Sequence, residues 1–290
     1  LINFILDETK QILNTYKPKK DYKFIKIRSS LNLTWQKKAQ NLSRLIKPKD
    51  LEIALVTIES NSGLIRTMIS GKEPHLNTFN RAKSAIRPLS STFKIISYMA
   101  AFEEGKSLED LYYDEPTCWE NYCPKNFSNT YKGKISLLDA FKTSSNIIPI
   151  KLSKELGLEK IINLANKLGL GYEQRIDKFL SLAIGAYGDS LINISNVYST
   201  INNNGFLIKP SIVEKINSNK EEVIWENNFE SKRLINKITV KKLNDILEKS
   251  VSEGNGIAAS IKDKRIFGKT GTSDGNRDLW FIGSINGITT

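Results

Sequence analysis

Leu89-Ser90-Ser91-Thr92-Phe93-Lys94-Ile95-Ile96 opens an apolar helical block running from Ser91 to Glu104 and stopped by Gly105. Positions i and i+3 of a helix share a face, so the Ser91 hydroxyl and the Lys94 amine can meet. Ser91 also stands at the helix N-terminus, where free backbone N–H groups and the dipole favour developing negative charge. No other serine in the chain has a lysine three residues later. His75 is the only histidine, which argues against a Ser-His-Asp triad and leaves lysine as the base for a serine nucleophile. A lysine can act so only if its pKa falls from about 10.4, through burial or a neighbouring cation. Taken alone, the pair reads as a helix-capping serine with an exposed lysine.

Two further elements change that reading. Ser144-Ser145-Asn146 follows 53 residues after Ser91, and Lys269-Thr270-Gly271-Thr272 follows 125 residues after Ser144. Ser-x-Asn also occurs at Ser30-Leu31-Asn32 and Ser284-Ile285-Asn286, so that triplet is weak by itself, with a turn or cap as its default role. Lys-Thr-Gly occurs once, in a strand entered by Phe267-Gly268, where glycine marks close approach of backbone or ligand. Ser-x-x-Lys, Ser-x-Asn and Lys-Thr-Gly in this order form a signature of serine acyl-transfer sites.

Around these motifs the chain reads as alternating blocks. Helices are expected at 3–16, 34–46, 136–143, 147–156, 159–168, 190–203 and 240–252, with Lys17-Pro18 and Lys47-Pro48 ending the first two. Strands are expected at 24–27, 51–58, 64–69, within 206–225, at 264–272 and at 278–285, followed by an Asn286-Gly287 hairpin turn. Residues 112–133 read as a loop. Strands, then many helices, then strands describe an α+β fold: one central antiparallel sheet with a helical insertion.

The 290 residues suffice for a substantial core, and 40% apolar with 26% charged residues is globular composition. No apolar stretch approaches the roughly 20 residues of a membrane span. The chain begins at Leu1, which suggests a fragment or processed chain. The net charge of +12 suits an anionic partner, but the basic residues are scattered and form no nucleic-acid motif. Cys118 and Cys123 are too few for a zinc site; they form a local disulfide in an oxidising compartment or remain free thiols in a loop.

The motifs and their flanks resemble the transpeptidase domain of class A (bifunctional) penicillin-binding proteins. Phe79-Asn80-Arg81-Ala82, Arg87-Pro88-Leu89-Ser90-Ser91-Thr92-Phe93-Lys94, Pro124-Lys125-Asn126-Phe127, Gly133 before Ser144, Gly268-Lys269-Thr270-Gly271-Thr272 and Arg277-Asp278-Leu279-Trp280-Phe281-Ile282-Gly283 carry the likeness, from about residue 24 to 285. Leu89-Ser90 departs from it, since the family usually has Pro-Gly there. The resemblance implies a penicillin-binding-protein/β-lactamase-like serine transferase fold and a peptidoglycan DD-transpeptidase that binds penicillin covalently, with no metal or other cofactor. Ser91 would attack the D-Ala-D-Ala carbonyl, with Lys94 as base hydrogen-bonded to Asn146. Ser144 would relay the proton to the leaving amine and later from the incoming one. Lys269 would attract the terminal carboxylate and depress the Lys94 pKa. Thr270, Gly271 and Thr272 would bind substrate, the two hydroxyls taking the carboxylate. Backbone N–H groups of Ser91 and Thr272 would form the oxyanion hole, and Asn146 would also hold the substrate backbone.

The expected partners are stem peptides as donor and amine acceptor, and β-lactams; nucleic acid is not among them. The resemblance places the domain on the extracytoplasmic face of a bacterial membrane, in a full-length protein with a membrane anchor and a glycosyltransferase domain. Residues 1–50 are then a linker and packing segment from that preceding domain, and 51–290 the transpeptidase domain, cut short at its C-terminus so that the sheet lacks a further central strand. A DD-carboxypeptidase or β-lactam sensor is the alternative. A β-lactamase would need a water-activating glutamate, and Glu159 resembles one only superficially, within an apparent helix surface. A non-catalytic wall-binding module using the basic surface is the remaining reading, disfavoured by intact motifs.

Overall fold

The computed structural model describes residues 1–18, 20, 22–45, 51–71, 79–171 and 179–290. The chain opens with α1 (Ile2–Tyr16), β1 (Ile25–Ser29) and α2 (Leu33–Leu45). β2 (Leu55–Glu59) and β3 (Ile65–Ile69) form the expected hairpin, with Gly63 of its turn at φ +71°. A short helix α3 (Arg81–Ser84) and strand β4 (Arg87–Pro88) lead into α4 (Lys94–Glu103). β5 (Leu111–Asp114), β6 (Gly133–Ser136), α5 (Leu137–Lys142), α6 (Ile147–Leu156) and α7 (Leu158–Lys167) follow. The return path runs through β7 (Gly188–Asp189), α8 (Leu191–Asn202), β8 (Phe206–Ile208), β9 (Val213–Ser218), β10 (Val223–Glu226), β11 (Ser231–Arg233) and α9 (Lys237–Ser252). β12 (Phe267–Thr272), β13 (Leu279–Ile285) and β14 (Ile288–Thr289) close the chain.

The expected α+β architecture is present. The main sheet is antiparallel throughout, in the order β12-β13-β14-β2-β3. Asn286 and Gly287 both adopt positive φ between paired Ile285 and Ile288, the geometry of a two-residue type I′ turn. That turn matters to the whole sheet. It returns Ile288 and Thr289 between β13 and β2, so two residues already occupy the position that the sequence reading left without a strand.

α8 packs on β2, β13 and β14, while α9 packs on β12 and α4. α4 is buried along its length from Lys94 to Phe102, as suits a helix apolar on every side except at Lys94 and Ser97. One core gathers α4 to α9, and a second surrounds β2, β3 and the N-terminal elements, with Phe4 of α1 and Ile216 of β9 inside it. The N-terminal residues therefore pack into the fold: β1 pairs with β9, and α2 covers the edge strand β3. There Gln36 behaves like a missing strand, donating from Nε2 to Met68 O at 2.9 Å and accepting from Met68 N at 2.9 Å.

The structure departs from the sequence reading in several places, the short elements α3, β4, β7 and β11 among them. The expected loop 112–133 is bounded by the paired strands β5 and β6, whose Leu111-Tyr112-Tyr113 was masked by flanking acidic and proline residues. Ser91 lies in a 3-10 turn over Ser90–Thr92 that precedes α4. His75, Lys19, Lys47, Pro48 and Lys49 lie outside the described residues.

Two buried tyrosines give opposite expectations. The Tyr98 hydroxyl has no hydrogen-bond partner among the described residues, whereas Tyr198 OH donates to Thr92 O at 2.8 Å. Tyr98→Phe keeps the edge-to-face contact with Phe141 and is expected to stabilise the protein by about 1 kcal/mol, while Tyr198→Phe is expected to cost about 1 kcal/mol. Urea unfolding of the two variants checks the difference in sign.

Candidate active site

The three motifs meet at the junction of α4, the α5–α6 connection and β12. Lys94 and Lys269 are essentially inaccessible, at 1% and 0% exposure. Lys94 Nζ donates to Asn146 Oδ1 at 2.6 Å and to Ser144 O at 2.7 Å, and lies 3.2 Å from Ser144 Oγ. Lys269 Nζ donates to the same Ser144 Oγ at 2.9 Å and to Thr270 O at 3.1 Å. One hydroxyl thus sits between two buried amines, and the hydrogen bonds of both amines include no carboxylate among the described residues.

Burial in a medium of low polarity disfavours the ammonium form. It drives the Lys94 amine well below its ordinary range; the nearby Lys269 charge pushes the same way, and the Asp114 carboxylate opposes them. Burial alone brings Lys269 down to about 7. Both amines therefore give up a proton more readily than an exposed lysine does. A neutral amine keeps two donors and one lone pair; the shorter contacts to Asn146 Oδ1 and Ser144 O take the donors. The lone pair is then free for a proton from Ser144 Oγ or from Ser91.

Ser91 is half-buried in the turn before α4, and its hydroxyl makes no hydrogen bond among the described residues. The turn that aims it is unusual. Ser90 adopts φ +52°, the left-handed region where the departure from Pro-Gly places a serine. Hydrogen bonds hold it there: Ser90 N to Gly185 O at 2.9 Å, Leu89 N to Tyr187 O at 2.8 Å, and Trp280 Nε1 to Pro88 O at 3.0 Å. Ser144 is also left-handed, at φ +59°.

Gly271 has a different reason to be glycine. A Cβ there would stand 3.0 Å from Thr92 Cγ2 and 3.2 Å from Leu89 O, so the strand lies directly against the turn carrying Ser91. Thr270 and Thr272 flank it, half-buried and exposed respectively, opposite Phe281 and Leu279 of β13. Glu159 is exposed in the first turn of α7, where the sequence reading put it.

The structure adds residues that the motifs did not announce. Asn146 N donates to Asn126 Oδ1 at 2.7 Å, and Asn146 Nδ2 to Lys125 O at 2.6 Å. Asn126 Nδ2 reaches both oxygens of Asp114, at 2.9 and 3.0 Å, and Ser145 Oγ donates to Asp114 Oδ1 at 2.7 Å. Pro124-Lys125-Asn126-Phe127 pointed to this segment; nothing in the sequence singled out Asp114. Cys118 and Cys123 are joined in a disulfide within the loop between Asp114 and Asn126, closing one of the alternatives left open.

Residues 53–285 match the family model of the penicillin-binding protein transpeptidase domain. Penicillin-binding protein 1A of Aquifex aeolicus is 31% identical over 248 residues, covering 83% of this chain and 34% of the relative. Penicillin-binding protein 1B of Buchnera aphidicola is 29% identical over 279 residues, covering 89% and 37%. The chain thus spans about a third of the length of the curated relatives it matches. Among solved structures, penicillin-binding protein PonA1 of Mycobacterium tuberculosis superposes with a TM-score of 0.83 at 18% identity, over 99% of this chain and 81% of that one. Penicillin-Binding Protein 1A of Haemophilus influenzae gives 0.76 at 24%, over 82% and 42%. These likenesses show the fold.

The Ser91 turn supplies a test of packing. A Cβ on Gly185 would fall 1.9 Å from Ser90 O, and Gly185 itself has φ +86°. Gly185→Ala is expected to cost about 3 kcal/mol by overpacking and backbone strain, with Ser91 displaced. Ser90→Gly, which relieves the left-handed strain, is expected to raise Tm slightly. Thermal melts of the pair check the opposite signs.

Proposed function

The chain belongs to the penicillin-binding-protein transpeptidase family, and from that premise we propose that it is a serine DD-transpeptidase domain that cross-links peptidoglycan stem peptides. The observation that carries the proposal is the shared hydroxyl: Ser144 Oγ within 3.2 Å of Lys94 Nζ and 2.9 Å of Lys269 Nζ, both amines buried.

In this reading neutral Lys94 takes the Ser91 proton as the Ser91 oxygen adds to the D-Ala-D-Ala carbonyl. The oxyanion sits against the N–H groups of Ser91 and Thr272, at the helix start and the β12 edge. Collapse of the tetrahedral adduct breaks the peptide bond. The proton held by Lys94 passes through Ser144 Oγ to the departing D-Ala amine. The acyl-enzyme is then attacked by an acceptor amine, whose proton returns by the same path to Lys94, and Ser91 leaves as a hydroxyl. The terminal carboxylate is bound by the Thr270 and Thr272 hydroxyls at the strand where Gly271 keeps β12 against the Ser91 turn. It also favours the charged form of Lys269. Ser91 Oγ reaches Lys94 in the substrate complex, since hydrogen bonds of empty sites commonly tighten on binding.

The +12 charge fits a domain working beside anionic lipid and wall polymer on the extracytoplasmic face of the membrane. No helix of the described residues is long and apolar enough to cross a membrane; the likeness to penicillin-binding proteins 1A and 1B, of which the chain spans about a third, supports an anchor and a glycosyltransferase domain in the whole protein. The exposed position of Glu159 favours a transpeptidase over a β-lactamase.

The test is intact-protein mass spectrometry after incubation with a penicillin. The expected result is a one-to-one adduct that persists for hours on wild type and is absent on Ser91→Ala. An adduct lost within seconds would mean a β-lactamase; no adduct on wild type would reject acyl transfer at Ser91. The second-order acylation rate should also follow a bell-shaped pH profile. Its acid limb belongs to Lys94, active only when neutral, and its alkaline limb to Lys269, whose charge is lost above about 7. Lys269→Met is expected to lose the alkaline limb.

A further inference from the structure

Asp114 ends β5 at 1% exposure, behind the Ser144-Ser145-Asn146 turn. Every hydrogen bond it makes is one it accepts. Asn126 Nδ2 donates to Oδ1 and Oδ2 at 2.9 and 3.0 Å, Ser145 Oγ to Oδ1 at 2.7 Å, and Lys132 N to Oδ2 at 3.0 Å. A protonated acid would present a hydroxyl to a donor at one of these positions, so the set suits a carboxylate. Buried charge is expensive without a purpose or a partner, and no ion pair to this carboxylate is present among the described residues.

The partners of Asp114 are the supports of the site. Asn126 turns its Nδ2 to Asp114 and its Oδ1 to Asn146 N, at 2.7 Å. Asn146 in turn receives Lys94 Nζ on its Oδ1 at 2.6 Å. On the other side, Ser145 Oγ donates to Asp114 and accepts from Ile147 N at 3.1 Å and Ile148 N at 3.3 Å, anchoring the first turn of α6. The carboxylate thus fixes which way Asn126 and Ser145 point, and they fix the backbone between Ser144 and Asn146. Its charge also acts on Lys94 across this network.

We propose that Asp114 is a positioning residue for acylation: through Asn126 and Ser145 it holds the Ser144-Ser145-Asn146 turn, and its negative charge acts on the Lys94 amine that this turn binds. This rests on the acyl-transfer reading above. The groups facing Lys94 are Lys269 from β12, Asp114 from β5, Ser144 and Asn146 from the α5–α6 connection, and Tyr98 one turn along α4. A negative charge favours the Lys94 ammonium, so removing it lowers the Lys94 pKa and moves the acid limb of acylation to lower pH.

The experiment compares wild type, Asp114→Asn, Ser145→Ala and the exchanged pair Asp114→Asn with Asn126→Asp. Two readouts are the pH profile of acylation by a fluorescent penicillin and the titration of Lys94 by NMR of 13C-labelled lysine. Asp114→Asn is expected to acylate at least tenfold more slowly at pH 7, with its acid limb and the Lys94 titration lowered by about one unit. Ser145→Ala, which keeps the charge, is expected to slow acylation with the limb unmoved. The exchanged pair keeps a carboxylate and an amide in the same two places and is expected to return the limb to within half a unit of wild type, by the reach of the charge. An unmoved limb and an unmoved Lys94 titration in Asp114→Asn would overturn the proposal. If Asp114→Asn does not fold, the exchanged pair decides it, and a displaced limb there overturns it. A wild type that never acylates would reject the acyl-transfer reading, while the NMR titration would still judge the charge of Asp114 on Lys94.

Discussion

Two lysine amines share one serine hydroxyl in the interior of this protein, and most of the architecture serves that arrangement. Both amines lie within about 3 Å of Ser144 Oγ, so they are within roughly 6 Å of each other. Burial disfavours the ammonium form of both, and the charge of Lys269 adds to the effect on Lys94. The result is a pair of buried amines held toward their neutral form, with no histidine beside them among the described residues. By comparison, the ion pairs on the outside, such as Lys160–Glu104 and Arg28–Glu214, are solvent-screened and worth about 0.5 kcal/mol each.

Bringing the amines together requires backbone that serine does not choose freely. Ser90 and Ser144 both occupy the left-handed region, at about 1–2 kcal/mol each. The surroundings over-determine them. Ser90 is locked by Gly185 O, and its neighbours by Tyr187 O and by Tyr198, whose hydroxyl reaches Thr92 O. Ser144 and Ser145 close back on Phe141 O and Ala140 O at the end of α5. Gly271 then lets β12 approach the Ser91 turn. Sheet, turn and helix form one rigid contact, which is what a site needing sub-ångström placement of hydroxyl and amine demands.

The helical insertion contributes more than core volume. Its β5–β6 strands carry the disulfide loop and deliver Asp114, Lys125 and Asn126 to the back of the site. Polar residues enter the interior there as a connected set, each satisfied by the next, which is the condition under which a buried polar network is tolerable. The N-terminal elements do comparable work at the other edge, where Gln36 of α2 satisfies the backbone of Met68 and leaves β3 no free edge at that point.

The sequence alone determined the family and the candidate groups. A serine and a lysine one turn apart, a Ser-x-Asn and a Lys-Thr-Gly in fixed order name the residues proposed to react, because local spacing on helix and strand is a property of the chain itself. Hydrophobic periodicity likewise located the helices to within a few residues, and Asn286-Gly287 specified its turn, since only residues tolerant of positive φ fit there. The tertiary structure decided what those groups are. Nothing local distinguishes a buried Lys94 from an exposed one; the drop in its pKa comes first from burial and then from the charge of Lys269, 175 residues away in the chain. Asp114 was illegible for the same reason: an acid at the end of a short strand becomes part of a site only when folding removes its water and turns the donors of Asn126 and Ser145 toward it. Spacing along the chain encodes which groups can react; burial and long-range contact set their charge.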